Sequence, residues 1–351
     1  MEEEKVSGAE VSEKKAVADE KAPPLPKKFI ILAVVAVVCV ICSVFRGRNE
    51  THRDVFYGMD TTVTLKLWGD KNNDYKKLVE KLEGLFDCYD EESEIYKLNK
   101  NGEAKLSKET LGLLKEAKAL CEKYPECDIT AGGIIDLWDV NGEGKIPTDE
   151  EISKELLNIG IENLTISDKK ATLIKGKINL GSVAKGYACD LLKKKFDKNK
   201  EKCAIVSFGS SSLMYGEKPD GEKFSVGVNN PLDKDKNLGT LSLTECFVST
   251  SGGYERFFER DGEKYCHIID LSTGKPVKSD LLSVTVIGQS GIETDFLSTC
   301  IYIKGEAGLD EFFKREDISL VVVTENKEIL ISEELKGDFS LKDESFTVIY
   351  R

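Results

Sequence analysis

Residues 248–258 read Val-Ser-Thr-Ser-Gly-Gly-Tyr-Glu-Arg-Phe-Phe and place a turn rich in serine, threonine and glycine after a predicted strand. One of the two histidines, His267, follows in the run His267-Ile-Ile-Asp270. Asp295 and Thr299 come next, a carboxylate and a hydroxyl one helical turn apart. Together these groups suit a site for a diphosphate, one divalent metal and an incoming hydroxyl.

The order of predicted elements favours an α+β fold. Strands arrive in groups, with few regular β-α-β alternations that would indicate a doubly wound sheet. Apolar alternation predicts strands over 61–68, 163–166, 171–174, 203–208, 223–229, 239–248, 264–270, 281–287, 318–323, 328–331 and 345–350. Helical spacing of apolar residues predicts helices over 73–89, 107–123, 182–196, 295–303 and 307–314.

Composition sets the size of the core and limits the partners. With 351 residues, 40% of them hydrophobic, the chain has enough material for one large domain or two small ones. No linker or repeat interrupts the pattern after Val55, so we expect one catalytic domain over residues 55–351. The net charge of −13 argues against nucleic acid as a partner. An anionic ligand would then need a metal ion or backbone donors.

The N-terminal region predicts a membrane anchor. Residues 1–28 are typical of a disordered tail, and residues 29–45 contain no charge and would span roughly 25 Å as a helix. A buried soluble helix is the alternative. Because no small-residue cleavage site follows, an anchor is favoured over a cleaved signal peptide. Lysines before the span place the N-terminus in the cytoplasm, and the domain outside, after a linker over 46–54.

The cysteines do not indicate a metal or redox motif. Ten are present, two of them in the predicted span, and the other eight show no Cys-x-x-Cys spacing. An exported domain with eight cysteines could form disulfides. Most of these cysteines stand in apolar runs, where a thiol behaves as a small hydrophobe, so we favour free thiols.

Each candidate functional residue also has a purely structural interpretation. Asp295 and Thr299 would present oxygens from one helix face to Mg²⁺, or Asp295 would cap the helix while Thr299 packs. Lys185 would contact a ligand or be a solvated charge. His267, predicted within a strand, would be a general base or a structural residue.

Two glycine-containing turns are candidates for binding phosphate. Residues 179–190 read as a strand end, a Gly-Ser turn and a helix, and a helix N-terminus offers free N–H groups to an anion. Residues 126–133 precede another predicted helix, which Asp128 and Thr130 would cap in the structural interpretation. Either signal alone is weak.

Taken together, the motifs resemble those of the ApbE family, the FAD:protein FMN transferases, from Phe56 to about Val323. The matching segments occur in the order found in that family. They are Met59-Asp-Thr61, Ser93-Glu-Ile95 with Asn99, Cys127-Asp-Ile-Thr130, Asn179-Leu-Gly with Ala184-Lys-Gly-Tyr187, Thr250-Ser-Gly252 with Tyr254-Glu-Arg-Phe257, His267-Ile-Ile-Asp270 with Thr273-Gly274, and Asp295 with Ser298-Thr299.

The resemblance implies a single ApbE-type, T-fold-like catalytic domain behind the anchor. It implies transfer of FMN from FAD, with Mg²⁺, to a Thr or Ser of an exported acceptor protein, with release of AMP. By likeness His267 would activate the acceptor hydroxyl, and Asp295 would act both in catalysis and on the metal. The implied metal set is Ser182, Asp295, Ser298 and Thr299. The implied flavin-nucleotide contacts are Met59, Tyr89, Glu126, Cys127, Asp128, Asn179, Lys185 and Ile269.

Three positions depart from the family pattern, and two other activities stay open. Asn179 stands where many members carry Asp, Leu271 replaces the usual proline, and the turn at 208–212 keeps only Gly209. The alternatives are hydrolysis of FAD to FMN and AMP, and flavin binding without turnover. The chain has no evident acceptor sequence (Asp-x-x-Thr/Ser-Gly-Ala-Thr/Ser), so self-flavinylation is not expected.

Overall fold

Strands dominate the part of the chain that the structure, a computed structural model, describes: residues 51–69 and 74–351. The strands in these residues, numbered β1 to β19, are Thr51–Gly58, Thr61–Trp68, Glu103–Lys105, Leu164–Ile166, Lys170–Leu173, Cys203–Phe208, Ser211–Gly216, Phe224–Asn230, Asp233–Leu243, Cys246–Ser251, Phe257–Arg260, Glu263–Cys266, Ile269–Asp270, Lys275–Pro276, Leu281–Gly288, Ile318–Thr324, Glu328–Ile331, Phe339–Leu341 and Thr347–Tyr350. The α-helices, numbered α1 to α8, are Asp74–Phe86, Glu94–Asn101, Lys108–Lys123, Gly132–Trp138, Asp149–Leu156, Ala184–Asn199, Gly291–Lys304 and Leu309–Phe313.

A large sheet with the order β1-β2-β6-β7-β10-β15-β16-β17-β19 organises the domain. Neighbouring strands in it run antiparallel except for the parallel pair β17 and β19. Strand β2 buries Val63, Leu65 and Leu67 in alternation, as a strand with one covered face does. Strand β15 is buried at almost every position, because both faces of the sheet are covered at its centre.

Different layers cover the two faces of this sheet. On one face α6 and α7 pack against each other and against the central strands, and Phe296 and Val286 belong to the core there. On the other face lies a small sheet with the order β18-β9-β8. Met214 of β7, Phe224 of β8 and Val321 of β16 share the core between the two sheets.

Helices α6 and α7 touch at two glycines. A Cβ atom on Gly186 would lie 2.1 Å from the carbonyl oxygen of Gly291, and one on Gly291 would lie 2.2 Å from the carbonyl oxygen of Gly186. The side chain of Asp190 on α6 accepts hydrogen bonds from the backbone N–H groups of Gly291 and Ile292, both at 2.8 Å. Asp190 therefore caps the N-terminus of α7 from the neighbouring helix.

The α+β prediction is confirmed, and two predicted strands need correction. The run 239–248 is split between β9 and β10 by a turn at Thr244 and Glu245, because each half pairs with a different sheet. The run 264–270 is interrupted at His267, between β12 and β13, which pair with different partners. Strand β1 begins at Thr51, so residues 51–54 belong to the sheet and not to a linker.

The predicted membrane span at 29–45 lies outside the residues that the structure describes. Among the described residues, none of the helices has the length and apolar character needed to cross a bilayer.

We expect Gly186→Ala to destabilise the domain by at least about 2 kcal/mol, because the added methyl group meets backbone that cannot yield. The matched control is Gly84→Ala at an exposed position of α1, where an added Cβ has no heavy atom within 4 Å. That change should stabilise the helix by roughly 0.5–1 kcal/mol. Chemical denaturation of both variants measures the difference, and equal unfolding free energies would contradict the packing described.

Candidate active site

A cavity of about 740 Å³ opens where several strands end, beside the start of α6. The β1–β2 turn, the β6–β7 turn and the segment after β10 all contribute to its wall. Most of the residues predicted from sequence line this cavity. They are Met59, Tyr89, Glu126, Cys127, Asp128, Asn179, Ser182, Lys185, His267, Ile269 and Thr299.

Asp295 lies directly behind the wall and is only 5% exposed. Its Oδ2 atom accepts a hydrogen bond from the backbone N–H of Gly186 at 2.9 Å, and its Oδ1 atom accepts one from the Ser211 hydroxyl at 2.7 Å. The helix begins at Gly291 with Ser290 as its N-cap, so the interpretation of Asp295 as a helix cap is wrong for α7. Asp295 instead binds the first turn of α6.

Hydroxyl groups connect Asp295 to the cavity. The Ser251 hydroxyl lies 2.8 Å from that of Ser298 and 3.0 Å from that of Thr299, and Ser298 donates to the carbonyl oxygen of Asp295 at 2.9 Å. Ser298 is fully buried, whereas Thr299 reaches the cavity. The i, i+4 spacing therefore puts Asp295 and Thr299 on the same side of α7. This side faces Ser211 of β7 and Ser251 of β10.

The oxygens of this cluster fit a hard divalent cation. Its members provide one carboxylate and several hydroxyls, and Mg²⁺ prefers oxygen ligands and keeps several waters. Within residues 51–69 and 74–351, no group of three or more His, Cys, Asp or Glu side chains has an arrangement that would hold a metal. A cation here would therefore depend on hydroxyl, water and ligand oxygens besides Asp295.

Met59 occupies a strained turn at the cavity wall. Met59 and Asp60 have φ angles of +53° and +57°, as a two-residue type I′ hairpin turn requires. A left-handed conformation is unfavourable for methionine, and here the backbone N–H of Met59 is held by the Glu83 carboxylate at 2.8 Å. This hydrogen bond stabilises the turn.

The segment 126–128 is held by three separate contacts. Glu126 pairs with Lys304 of α7 at 2.8 Å. Burial raises the pKa of Glu126, but hydrogen bonds from Lys304, its own backbone and Cys300, together with the charge of Lys304, lower it overall. Asp128 accepts from both the N–H and the hydroxyl of Thr130, so the two residues form a local turn and do not cap α4. Cys127 is buried beside the Ser182 hydroxyl, and burial raises its pKa to about 12.

The predicted phosphate-binding turn also faces the cavity. Asn179 Oδ1 accepts from the N–H of Gly181 at 2.9 Å, which shapes the turn before α6. Lys185 reaches across to the Ser210 hydroxyl at 2.8 Å and lines the cavity, so it is not a freely solvated charge. The N-cap of α6, Val183, provides no side-chain cap, and Asp295 supplies the carboxylate instead.

His267 is held as a neutral imidazole. Burial lowers its pKa to about 4, and the nearby charges of Arg256 and Lys185 act in the same direction. Its Nδ1 atom lies 3.1 Å from the carbonyl oxygen of Arg256. A neutral ring that donates from Nδ1 leaves Nε2 as a proton acceptor. Ile269, in β13, is buried beside it and also lines the cavity.

Several site residues were not predicted from the sequence. Ser211 and Ser251 hold the cluster around Asp295, and Glu255, Arg256 and Lys234 line the cavity. Ser251 stands in the quoted run two positions after Ser249, a spacing that puts both on one face of β10. Ser211 lies in the segment 208–212, which the sequence marked only as a departure from the family pattern, because strand β7 was itself not predicted.

Comparison with known proteins gives the family. The sequence model of the ApbE family matches residues 59–322, and the chain belongs to this family. The FAD:protein FMN transferase of Vibrio cholerae serotype O1 is 30% identical over 242 residues, which cover 66% of this chain and 72% of that relative. The one of Haemophilus influenzae is 27% identical over 257 residues, covering 68% of this chain and 74% of its own length.

The fold also matches that of a solved structure of this family. The crystal structure of the ApbE protein from Thermotoga maritima superposes with a TM-score of 0.75 at 28% identity, covering 82% of this chain and 99% of that protein. The described residues therefore have the mixed α/β ApbE-type fold.

Proposed function

We propose that this protein transfers the FMN part of FAD to a Thr or Ser hydroxyl of an acceptor protein, forming a phosphoester and releasing AMP. The observation that carries the proposal is one cavity lined by both His267 and Thr299, with Asp295 behind its wall, in an ApbE-family chain. The relatives named above as FAD:protein FMN transferases support the same activity.

In the proposed reaction, the acceptor oxygen attacks the phosphorus of the FMN half. The bond from this phosphorus to the bridging oxygen breaks, and AMP leaves with that oxygen. The hydroxyl proton goes to Nε2 of His267, which its depressed pKa keeps unprotonated at neutral pH. The Arg256 carbonyl holds the ring in the required tautomer.

Asp295 and Thr299, with Ser182 and Ser298 nearby, are the residues we propose to hold Mg²⁺. When bound, the metal would offset negative charge that builds on the diphosphate as AMP leaves. Lys185 lies at the same wall and would contact a phosphate oxygen. We assign FAD contacts to the remaining predicted residues of the wall: Met59, Tyr89, Glu126, Cys127, Asp128, Asn179 and Ile269.

We further propose that residues 29–45 anchor the protein by a single span in the cell membrane, with the catalytic domain, which includes the sheet strand that begins at Thr51, outside the cytoplasm. The uncharged run and the lysines before it support this orientation. Acceptors would then be exported proteins on the same membrane face.

The decisive assay follows the acceptor by mass. We expect purified protein with FAD and Mg²⁺ to convert an exported domain that carries the acceptor sequence to its FMN phosphoester. The mass of that domain should increase by the mass of FMN less one water. A matched acceptor with Ala at the modified hydroxyl should stay unmodified. Accumulation of free FMN and AMP with unchanged acceptor mass would instead establish FAD hydrolysis.

We expect Thr299→Val to lower transfer on the order of tenfold or more at fixed Mg²⁺, since it removes one proposed metal oxygen while keeping shape. Thr299→Ser keeps the oxygen and should retain most activity. Asp295→Ala should lose more than Thr299→Val. Titration of Mg²⁺ in the transfer assay measures all three, and identical metal dependence for the Val and Ser variants would refute the assignment.

We expect His267→Ala to slow transfer by about 10²- to 10⁴-fold, as the loss of a general base does. FAD affinity should stay within about twofold, because the base acts on the other substrate. In the wild-type protein kcat/KM should fall only as pH drops through about 4, where His267 gains its proton. An acid limb near the ordinary histidine pKa would show that burial does not depress the pKa of His267, whereas equal losses of binding and transfer would assign His267 to structure.

A further inference from the structure

Three side chains from separate segments converge at the rim of the cavity. Tyr89 follows α1, Asp136 lies on α4, and Lys177 precedes α6. The Tyr89 hydroxyl donates to Oδ1 of Asp136 at 2.9 Å, and Lys177 forms an ion pair with Oδ2 of the same carboxylate. The ammonium nitrogen of Lys177 also lies 4.9 Å from the centre of the Tyr89 ring.

These contacts hold an aromatic side chain that has 57% of its surface open. An exposed ring normally samples several rotamers, and ordering it costs entropy. Here the carboxylate fixes the hydroxyl end while the ammonium sits over the ring, a cation–π contact. The orientation of Tyr89 is therefore set by Asp136 and Lys177.

The two partners are themselves held as one unit. The backbone N–H of Gly132, at the start of α4, donates to the carbonyl oxygen of Lys177 at 2.7 Å, and the N–H of Lys177 donates to that of Thr130 at 3.1 Å. On the Tyr89 side, its own N–H donates to Asp87 Oδ1 at 2.8 Å. The position of Tyr89 is thus fixed by Asp87 on its own segment and by Asp136 and Lys177 on the other side of the cavity rim.

We infer that Asp136 and Lys177 are positioning residues that hold the Tyr89 ring as a stacking surface for a planar heterocycle of the FAD substrate. Tyr89 lines the cavity, whereas Asp136 and Lys177 lie outside its wall and act only through Tyr89. Offset stacking between flat aromatic systems rewards a ring whose orientation is already fixed. The inference rests on the proposed function, because it takes FAD as the ligand.

The test measures FAD dissociation constants by quenching of flavin fluorescence, without acceptor. Tyr89→Phe removes only the hydroxyl, and Asp136→Ala removes its partner. Each should raise the dissociation constant by about 3- to 10-fold, the range for one hydrogen bond. The double variant should lose less than the product of the two single effects, because both disrupt the same contact. For Asp136→Ala, which does not line the cavity, kcat at saturating FAD should stay within about twofold.

Lys177 provides a rescue experiment. Lys177→Met should weaken FAD binding, whereas Lys177→Arg, which can both pair with a carboxylate and lie over a ring, should restore it. The matched control is Tyr96→Phe: Tyr96 also donates to a carboxylate, Glu91, at 3.1 Å and has Lys100 over its ring at 5.4 Å, but it does not line the cavity. Its FAD affinity should equal that of the wild-type protein.

The outcomes separate this inference from the proposed function. If the wild-type protein binds FAD and Tyr89→Phe and Asp136→Ala bind it equally well, the positioning role is refuted and the function stands. A loss of kcat with unchanged affinity would refute it too. If the wild-type protein does not bind FAD, the proposed function itself fails. Because Tyr89→Phe removes a single exposed hydroxyl, its result does not depend on whether Asp136→Ala folds.

Discussion

The site depends on a reciprocal contact between two helices. Asp295 of α7 accepts from the backbone N–H of Gly186 in the first turn of α6, and Asp190 of α6 accepts from the N–H groups of Gly291 and Ile292 in the first turn of α7. Each helix thus provides the carboxylate that caps the other, where unpaired N–H groups and the helix dipole favour negative charge. The glycines permit this approach, since a methyl group at either would strike backbone.

This arrangement explains how a strongly acidic protein keeps a buried carboxylate beside the cavity proposed to bind a diphosphate. Hydrogen bonds from a backbone N–H and from the Ser211 hydroxyl stabilise the carboxylate of Asp295, so it does not need an ion pair with a cation of the cavity wall. Lys185 and Arg256 face the cavity together with His267. Burial and the same two charges lower the pKa of His267, so the cations that would attract the proposed diphosphate would also keep the proposed base unprotonated.

Sequence patterns predicted the features that depend on spacing along the chain, such as residues on one helix face. They missed the contacts that depend on the order of strands in the sheet. Asp295 and Thr299 share one side of α7 because a helix repeats every 3.6 residues, and Cys203–Phe208 is a strand as its alternation predicts. The contact from Ser211 to Asp295 joins residues 84 apart in sequence and requires β7 to pair with β10. His267 matched a strand pattern, yet the ladder ends before it because β12 and β13 have different partners.

The oxygen donors around α7 also link the proposed metal to the proposed substrate. One carboxylate whose two oxygens already accept hydrogen bonds, with neutral hydroxyls beside it, is a weak set for Mg²⁺, which binds tightly only where further charged oxygens complete its shell. The diphosphate of FAD carries such oxygens. Metal and dinucleotide would then each raise the affinity of the other by the same factor, because binding free energies are linked. A site built this way would hold the proposed cation only when the diphosphate bond to be broken is also present.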